Sequence, residues 1–225
     1  MISNDPLTHA ELEALRRYDT CTIANAIETF NVRPRTAGFL SAQVRCVFPA
    51  LGVMLGYAVT SRCRASKKTE STYSRHGWWD AVAAGRKPRV AVIQDVDDPP
   101  VGAFWGEVQT NIHRALGCVG CVTNGGVRDL NEVEPLGFHY YAGSVMVSHA
   151  YIDMIDFGTP VSIGGVEIVT GDLVHADRHG VQTIPLQIAR DIPAACERII
   201  AKEHVVISLC QSSDFSLEKL KQVQA

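Results

Sequence analysis

The sequence predicts an α/β fold, with one domain of 225 residues whose second half is rich in strands. Between residues 73 and 142, stretches with helical apolar spacing alternate with short apolar runs, which indicates helices alternating with buried strands. After residue 160, short apolar runs are separated by glycine-containing turns, which is typical of antiparallel strands. We therefore assign residues 1–225 to one domain, with a helical arm at about 8–30, a core at about 45–190 and C-terminal helices at about 191–222.

The first half of the chain is predicted in order as follows. A helical pattern covers residues 8–30, and Asp19 interrupts it and caps its second part. A loop, a strand at 52–61 and a basic, solvated segment at 62–68 come next. A helix at 73–84 leads to a strand at 90–95. A short helix then begins behind Gly106, ends at Gly117, and is followed by a buried strand at 118–123.

The second half is predicted to contain mainly strands. A short helix at 129–133 precedes strands at 138–142 and 145–147. Gly164-Gly165 is expected to form the two-residue turn of a hairpin over 161–169. The remaining elements are strands at 173–177 and 180–185 and helices at 191–203 and 216–222.

Composition excludes several function classes. The net charge of −3 argues against general nucleic-acid binding, which usually shows a basic face. No apolar run is long enough to cross a membrane, and the N-terminal residues lack the pattern of a secretory signal, so we expect a cytoplasmic location. The seven scattered cysteines suit reduced, mostly buried thiols, including the Cys118/Cys121 pair. No nucleotide-binding glycine motif and no hydrolase nucleophile motif occurs.

The most informative segment begins at Gly106-Glu107-Val108-Gln109. A helix N-terminus behind a glycine presents free N–H groups, which favour a bound carboxylate. Glu107 is a candidate base acting on a bound water; alternatively, it only complements the helix dipole.

The second informative segment is Asn124-Gly125-Gly126-Val127-Arg128-Asp129. Arginine binds a carboxylate through two parallel hydrogen bonds, and aspartate is a hard oxygen ligand suited to Mg²⁺. The alternative is a structural role, in which Asp129 caps the next helix and Glu132 completes a capping box.

Two further clusters contain residue types that could have a function. On one strand, His175, Asp177 and His179 would share a face and could ligate a metal; alternatively they are turn residues before Gly180. Trp78-Trp79 is interpreted as a packing or subunit contact, because no basic groove accompanies it.

Together these residues resemble the family of the RNase E activity regulator RraA, which includes 4-hydroxy-4-methyl-2-oxoglutarate aldolases. The matching segments are 22–26, 52–60, 105–107, 120–129, 160–166, 171–177 and 180–185. The resemblance implies a compact α/β/β sandwich-like fold that assembles as homotrimers or homohexamers with sites between subunits. Asn25, Asn124 and the segment 141–144 depart from the usual family pattern.

The resemblance also implies roles at the site. Asp129 would hold Mg²⁺, with Mn²⁺ or another divalent cation as alternatives, and Arg128 would bind the substrate carboxylate. Gly106, Glu107, Val108, Gln109 and Asn124 would complete the substrate site, with Glu107 handling protons. Glu197 or Glu203 of a neighbouring subunit would add a carboxylate.

The resulting hypothesis is a divalent-metal-dependent lyase that cleaves 2-oxo acids through a pyruvate enolate. Its substrates would be compounds like 4-hydroxy-4-methyl-2-oxoglutarate, oxaloacetate, or both. The alternatives are a non-catalytic regulator that binds an RNA-degrading enzyme, and a lyase or isomerase for a sugar-derived 2-oxo acid.

Overall fold

A computed structural model describes residues 6–68 and 75–224. The mixed helices and strands confirm the α/β fold predicted from the sequence. The α-helices are α1 (His9–Arg16), α2 (Thr20–Glu28), α3 (Arg75–Ala84), α4 (Glu107–Ala115), α5 (Leu130–Val133), α6 (Ile192–Gln211) and α7 (Leu217–Gln224). The strands are β1 (Arg45–Cys46), β2 (Met54–Arg64), β3 (Arg89–Asp95), β4 (Ala103–Trp105), β5 (Cys118–Thr123), β6 (Gly126–Val127), β7 (His139–Ala142), β8 (Ser144–Val145), β9 (Asp153–Phe157), β10 (Val161–Ile163), β11 (Val166–Ile168), β12 (Leu173–Asp177) and β13 (Gly180–Ile184).

One mixed sheet organises the domain. Within the described residues it has eight strands in the order β1-β7-β5-β3-β2-β12-β13, and β9 also pairs with β2. Neighbouring strands among β2, β3, β5 and β7 are parallel. Strand β2 has eleven residues and pairs with β3 along one edge. Along its other edge, residues 54–57 pair with β12 and residues 61–64 pair with β9.

The apolar core lies on both faces of this sheet. Helices α1, α2 and the start of α6 pack on Leu55, Tyr57 and Leu173. The β10–β11 hairpin packs with Val90 and Val92. Burial of this apolar area is the main favourable term in folding. Helix α6 is buried only near its N-terminal end and exposes apolar residues such as Ile207 further along.

Several local predictions are confirmed. Asp19 separates α1 from α2, and its side chain accepts the Thr22 N–H at 2.7 Å, as expected of an N-cap. The β10–β11 hairpin turns at Gly164-Gly165, and β5 covers the predicted residues. Gly117 follows α4 with a φ of +83°, a conformation that glycine adopts at little cost.

Other predictions are wrong. The segment 62–68 is not simply solvated, because β2 continues to Arg64 and Arg62 Nε donates to both Asp156 oxygens at 3.1 and 3.0 Å. Strand β9, which supplies Asp156, was not predicted. Helix α6 runs to Gln211 rather than ending at residue 203. Residues 73 and 74 of the predicted helix lie outside the described residues.

No helix within residues 6–68 and 75–224 has both the length and the apolar character needed to cross a membrane.

Candidate active site

A small parallel sheet brings the two informative segments together. β4, β6 and β8 pair side by side, and Trp105 of β4 is the partner of Val127 in β6. Arg128 N–H donates to the Trp105 carbonyl at 2.9 Å. Because the strands are parallel, Gly106 and Arg128 leave the sheet at the same edge. Two segments that lie more than twenty residues apart in the sequence therefore meet at one place.

The first turn of α4 faces this edge. Gly106 is the N-cap residue and offers no side chain to bond the helix, while the Glu107 N–H donates to Asp129 Oδ2 at 2.9 Å. The N–H groups of Val108 and Gln109 also lie in the first turn, where a helix provides no acceptor of its own. The arrangement leaves them available to a bound anion.

Asp129 does not cap helix α5. It has a φ of +56° and a ψ of +45°, and its side chain makes no capping bond to α5, so the capping-box alternative is wrong. A left-handed conformation at a residue other than glycine costs roughly 1–2 kcal/mol. Such residues cluster at functional sites, and here the strained backbone holds the carboxylate against the start of α4.

Arg128 keeps its guanidinium accessible beside this carboxylate. Its Nε lies 3.7 Å from Asp129 Oδ2, and its side chain is 36% exposed. Its Nη1 donates to the Val147 carbonyl at 3.4 Å, which is a long contact. Among the described residues the guanidinium forms no two-bonded pair with a carboxylate, so its paired donors can bind one from a ligand.

Gly106 is required sterically at this position. An added Cβ would lie 2.5 Å from Asp129 Oδ2 and 3.2 Å from Arg128 Nε. The glycine therefore lets the carboxylate and the guanidinium approach the helix N-terminus.

These residues line a cavity of about 620 Å³. Gly106, Val108, Gln109, Arg128 and Asp129 all contribute to its wall, so the structure brings five of the seven predicted site residues into one cavity. The other cavity-lining residues are Lys68, Trp78, Trp79, Ala103, Phe104, His149, Ala150, Tyr151, Ile152, Asp153 and Met154.

The other two predicted residues lie elsewhere. Glu107 is exposed at the helix start and does not line the cavity. Asn124 clamps the Asp95 main chain, since its Oδ1 accepts the Asp95 N–H at 2.8 Å and its Nδ2 donates to the Asp95 carbonyl at 2.7 Å. Asn124 instead lines a second, more open cavity beside Arg45 and Ser162.

His113, which sequence reasoning missed, fixes the position of α4. Its Nε2 accepts the Trp78 Nε1–H at 2.8 Å, and its Nδ1 lies 2.7 Å from the Gln109 carbonyl. Burial lowers the pKa of His113 to about 4, so the ring is neutral and Nδ1 donates. The apolar stripe that predicted α4 is not its buried face, because Thr110 and His113 are buried while Val108 is 70% exposed.

The group of His175, Asp177 and His179 and the Cys118/Cys121 pair have structural roles. Asp177 accepts the Thr20 N–H and hydroxyl at 2.9 and 2.6 Å, and His175 Nε2 lies 3.1 Å from the Tyr18 carbonyl. No group of three or more His, Cys, Asp or Glu side chains that could hold a metal occurs among the described residues. Cys118 and Cys121 are buried free thiols, and burial raises the pKa of each.

Comparison with known families decides the classification of the chain. A family model named RraA-like and described as Aldolase/RraA matches residues 20–182. The chain belongs to the RraA-like family. The match covers the small sheet, the α4 N-terminus and the Arg128-Asp129 pair.

Individual relatives of this RraA-like protein are distant. A Halalkalibacterium halodurans protein named as a candidate 4-hydroxy-4-methyl-2-oxoglutarate aldolase is 28% identical over 99 residues, which cover 44% of this chain and 47% of that protein. The alignment thus spans about half of the relative's length.

Two solved structures share the fold. Streptomyces coelicolor RraAS2, described as an unusual member of the RNase ES inhibitor RraA protein family, has a TM-score of 0.71 at 22% identity, covering 89% of this chain and 98% of its own. A structure described as novel cellulases from microbes associated with the gut ecosystem has a TM-score of 0.75 at 18% identity, covering 90% of each chain. At these identities the likeness shows the fold alone.

The glutamates expected from a neighbouring subunit make contacts within the chain. Glu197 Oε1 accepts the Tyr18 hydroxyl, and Glu203 Oε1 accepts from Asn25 Nδ2 at 3.5 Å. Neither lines the cavity of its own subunit.

Proposed function

We propose that this RraA-like protein is a divalent-metal-dependent lyase that cleaves 2-oxo acids through a pyruvate enolate. The reactions would be retro-aldol cleavage of compounds resembling 4-hydroxy-4-methyl-2-oxoglutarate and decarboxylation of oxaloacetate. The observation that carries the proposal is the convergence of the Arg128 guanidinium, the Asp129 carboxylate and the α4 N-terminus in one cavity. The candidate aldolase name of the distant relative agrees with it.

The residues present fit Mg²⁺ or Mn²⁺ better than zinc. Asp129 offers one accessible carboxylate, since only its Oδ2 accepts the Glu107 N–H, and its side chain is 34% exposed. Magnesium is commonly held by one or two carboxylates together with waters and substrate oxygens. A closed zinc site would need a set of nitrogen or sulfur ligands, and the described residues provide no such cluster.

The substrate carboxylate would be bound by this chain's own groups. The two parallel donors of Arg128 match its two oxygens. Val108 and Gln109 line the same cavity, and their N–H groups lie at the positive end of α4. Such fixed donors orient the C2 keto group before the reaction and need no rearrangement during it. A bound divalent cation would supply further positive charge for the keto oxygen.

Bond cleavage leaves the electron pair of the broken carbon–carbon bond on C3, with the negative charge shared by the keto oxygen. Arg128 attracts the negatively charged enolate more strongly than it attracts the uncharged keto group, so it lowers the barrier. Glu107, exposed at the helix start, is the carboxylate that we assign to proton transfer through a water.

We further propose that the active form is a homotrimer or homohexamer. Val108, Val145 and Val147 are 70%, 59% and 93% exposed. Val108 lines the cavity, and the Val147 carbonyl accepts from Arg128, so two of these exposed side chains lie close to the site. A neighbouring subunit covering them would enclose the cavity. Light scattering of the purified protein tests the assembly.

The experiment that tests the lyase proposal is pyruvate release from oxaloacetate and from 4-hydroxy-4-methyl-2-oxoglutarate, with Mg²⁺ and then with excess EDTA. We expect release that EDTA abolishes and that Mg²⁺ or Mn²⁺ restores. Arg128→Ala should lower kcat/KM about 100-fold, because it removes charged hydrogen bonds worth roughly 3 kcal/mol.

The matched control is Arg35→Ala, which removes an exposed arginine that pairs with Glu28 at 3.2 Å and lies outside the cavity. It should leave turnover unchanged. A folded Arg128→Ala protein with wild-type turnover would refute the assigned role of Arg128. No release from either substrate by folded, metal-supplemented protein would favour a sugar-derived substrate or the protein-binding alternative.

A further inference from the structure

The cavity is larger than a small diacid requires. Its volume is about 620 Å³, which corresponds to about twenty waters at ~30 Å³ each. Cavities of this size commonly hold drug-sized ligands, and oxaloacetate is a much smaller molecule. A substrate anchored at Arg128 and Asp129 therefore leaves room for a further group.

The remaining wall of the cavity is mainly apolar and aromatic. We call it the second wall, and it is formed by Trp79, Phe104, Tyr151, Ile152, Lys68 and Asp153. Trp79 and Phe104 are partly buried against the core, whereas Tyr151 is 59% exposed. Rings of this kind bind planar apolar groups by stacking and by excluding water.

The connection from β8 to β9 builds part of this wall and is firmly held. The Ala103 N–H donates to the Ser148 carbonyl at 2.9 Å, and the Tyr151 N–H donates to the Ala65 carbonyl at 3.1 Å. Between them Ala150 adopts a φ of +47°, an unusual conformation for a residue with a side chain. Strain of this kind persists only where the surrounding structure fixes it. The backbone segment that carries Tyr151 is therefore held in one conformation before a ligand binds.

The charges of the second wall do not favour a second carboxylate. Lys68 and Asp153 are its charged members and have opposite signs. A second substrate carboxylate would gain attraction from Lys68 but would also face repulsion from Asp153. An uncharged planar group avoids that repulsion and still contacts the rings.

We propose that the second wall binds an aryl group on C4 of the substrate, so that the preferred class is 4-aryl-4-hydroxy-2-oxobutanoates. This assignment rests on the proposed lyase function. In the reaction the C3–C4 bond breaks and its electron pair remains on C3. The C4 hydroxyl loses its proton and becomes the carbonyl of an aromatic aldehyde, while C3 gains a proton and yields pyruvate.

A measurement of binding alone tests this inference separately from the lyase proposal. The probe is 2-oxo-4-phenylbutanoate, which lacks the C4 hydroxyl and cannot undergo retro-aldol cleavage, compared with 2-oxoglutarate by calorimetry, with and without Mg²⁺. We expect the phenyl compound to bind at least 10-fold more tightly. Tyr151→Ala should reduce that preference at least 5-fold, whereas Tyr151→Phe should retain it.

The control is Phe39→Ala, an exposed aromatic residue outside the cavity, which should leave the preference unchanged. Equal or tighter binding of 2-oxoglutarate, or a preference that survives Tyr151→Ala, would overturn the inference. Preferential binding of the phenyl compound without pyruvate release from 4-hydroxy-4-phenyl-2-oxobutanoate would support the aryl site and contradict the lyase proposal.

Discussion

Gly106→Ala is the perturbation whose effect the structure defines most sharply. The backbone at Gly106 is extended, with a φ of −159°, so alanine can adopt it without strain. The new Cβ would lie 2.5 Å from Asp129 Oδ2, and ordinary contact begins near 3.4 Å. The carboxylate must therefore move by about 0.9 Å, the difference between these distances, and lose its bond to the Glu107 N–H.

A displacement of about 1 Å in a catalytic constellation can lower the rate about 100-fold. We expect this loss in kcat/KM for pyruvate release, with little change in the free energy of unfolding. The control is Gly137→Ala, where a Cβ would meet nothing within 4 Å but the φ is +67°. That variant should lose about 1 kcal/mol of stability and keep its activity. A folded Gly106→Ala protein with turnover within about twofold of wild type would refute the reasoning.

Two further predictions concern stability. Burial raises the pKa of Asp95 from 3.8 to about 6, so the folded chain holds a proton that the unfolded chain has lost, and this residue's contribution to stability falls as pH rises from about 4 to about 6. At 1.36 kcal/mol per pH unit, this pKa difference corresponds to about 3 kcal/mol. Asp95→Asn should therefore raise the free energy of unfolding in urea by up to that amount near pH 7.5 and by little near pH 4. An equal change at both pH values would contradict the raised pKa of Asp95. Arg89 donates to the carbonyls of Ala83, Gly85 and Leu116 at the ends of α3 and α4. Arg89→Leu should therefore lower the free energy of unfolding by about 3 kcal/mol in the same assay. Arg89→Lys should have a smaller effect, because one ammonium group cannot reach all three acceptors. A loss below about 0.5 kcal/mol for Arg89→Leu would be inconsistent with this role.

The elements predicted correctly are those whose signal is local. Asp19 can cap α2 because its side chain reaches the N–H of Thr22, three residues on. The Gly164-Gly165 turn likewise depends on backbone freedom at two adjacent residues. Strand β9 was missed because its position depends on pairing with β2, which is far away in the sequence. The end of α6 was missed because Val205, Val206 and Ile207 are β-branched and lower the local helix propensity.

The site was predicted in part for the same reason. Residues 106–109 and 128–129 carry recognisable chemistry, and five of them line the cavity. Nothing in the sequence indicated that Asn124 would be used to hold the Asp95 main chain, or that Tyr151 and Asp153 would form the opposite part of the wall. These assignments follow from the packing of segments that are distant along the chain.

The sequence by itself determined the α/β class, the start of α4 behind Gly106 and the pairing of an arginine with an aspartate. Each of these depends on interactions within a few residues, so propensity and spacing are enough to specify it. Only the tertiary structure decided that Asp129 points its carboxylate at the α4 N-terminus rather than capping α5. The strands of the small sheet that places it there are two or three residues long and have no periodicity to detect, and the sheet forms only when distant segments pair.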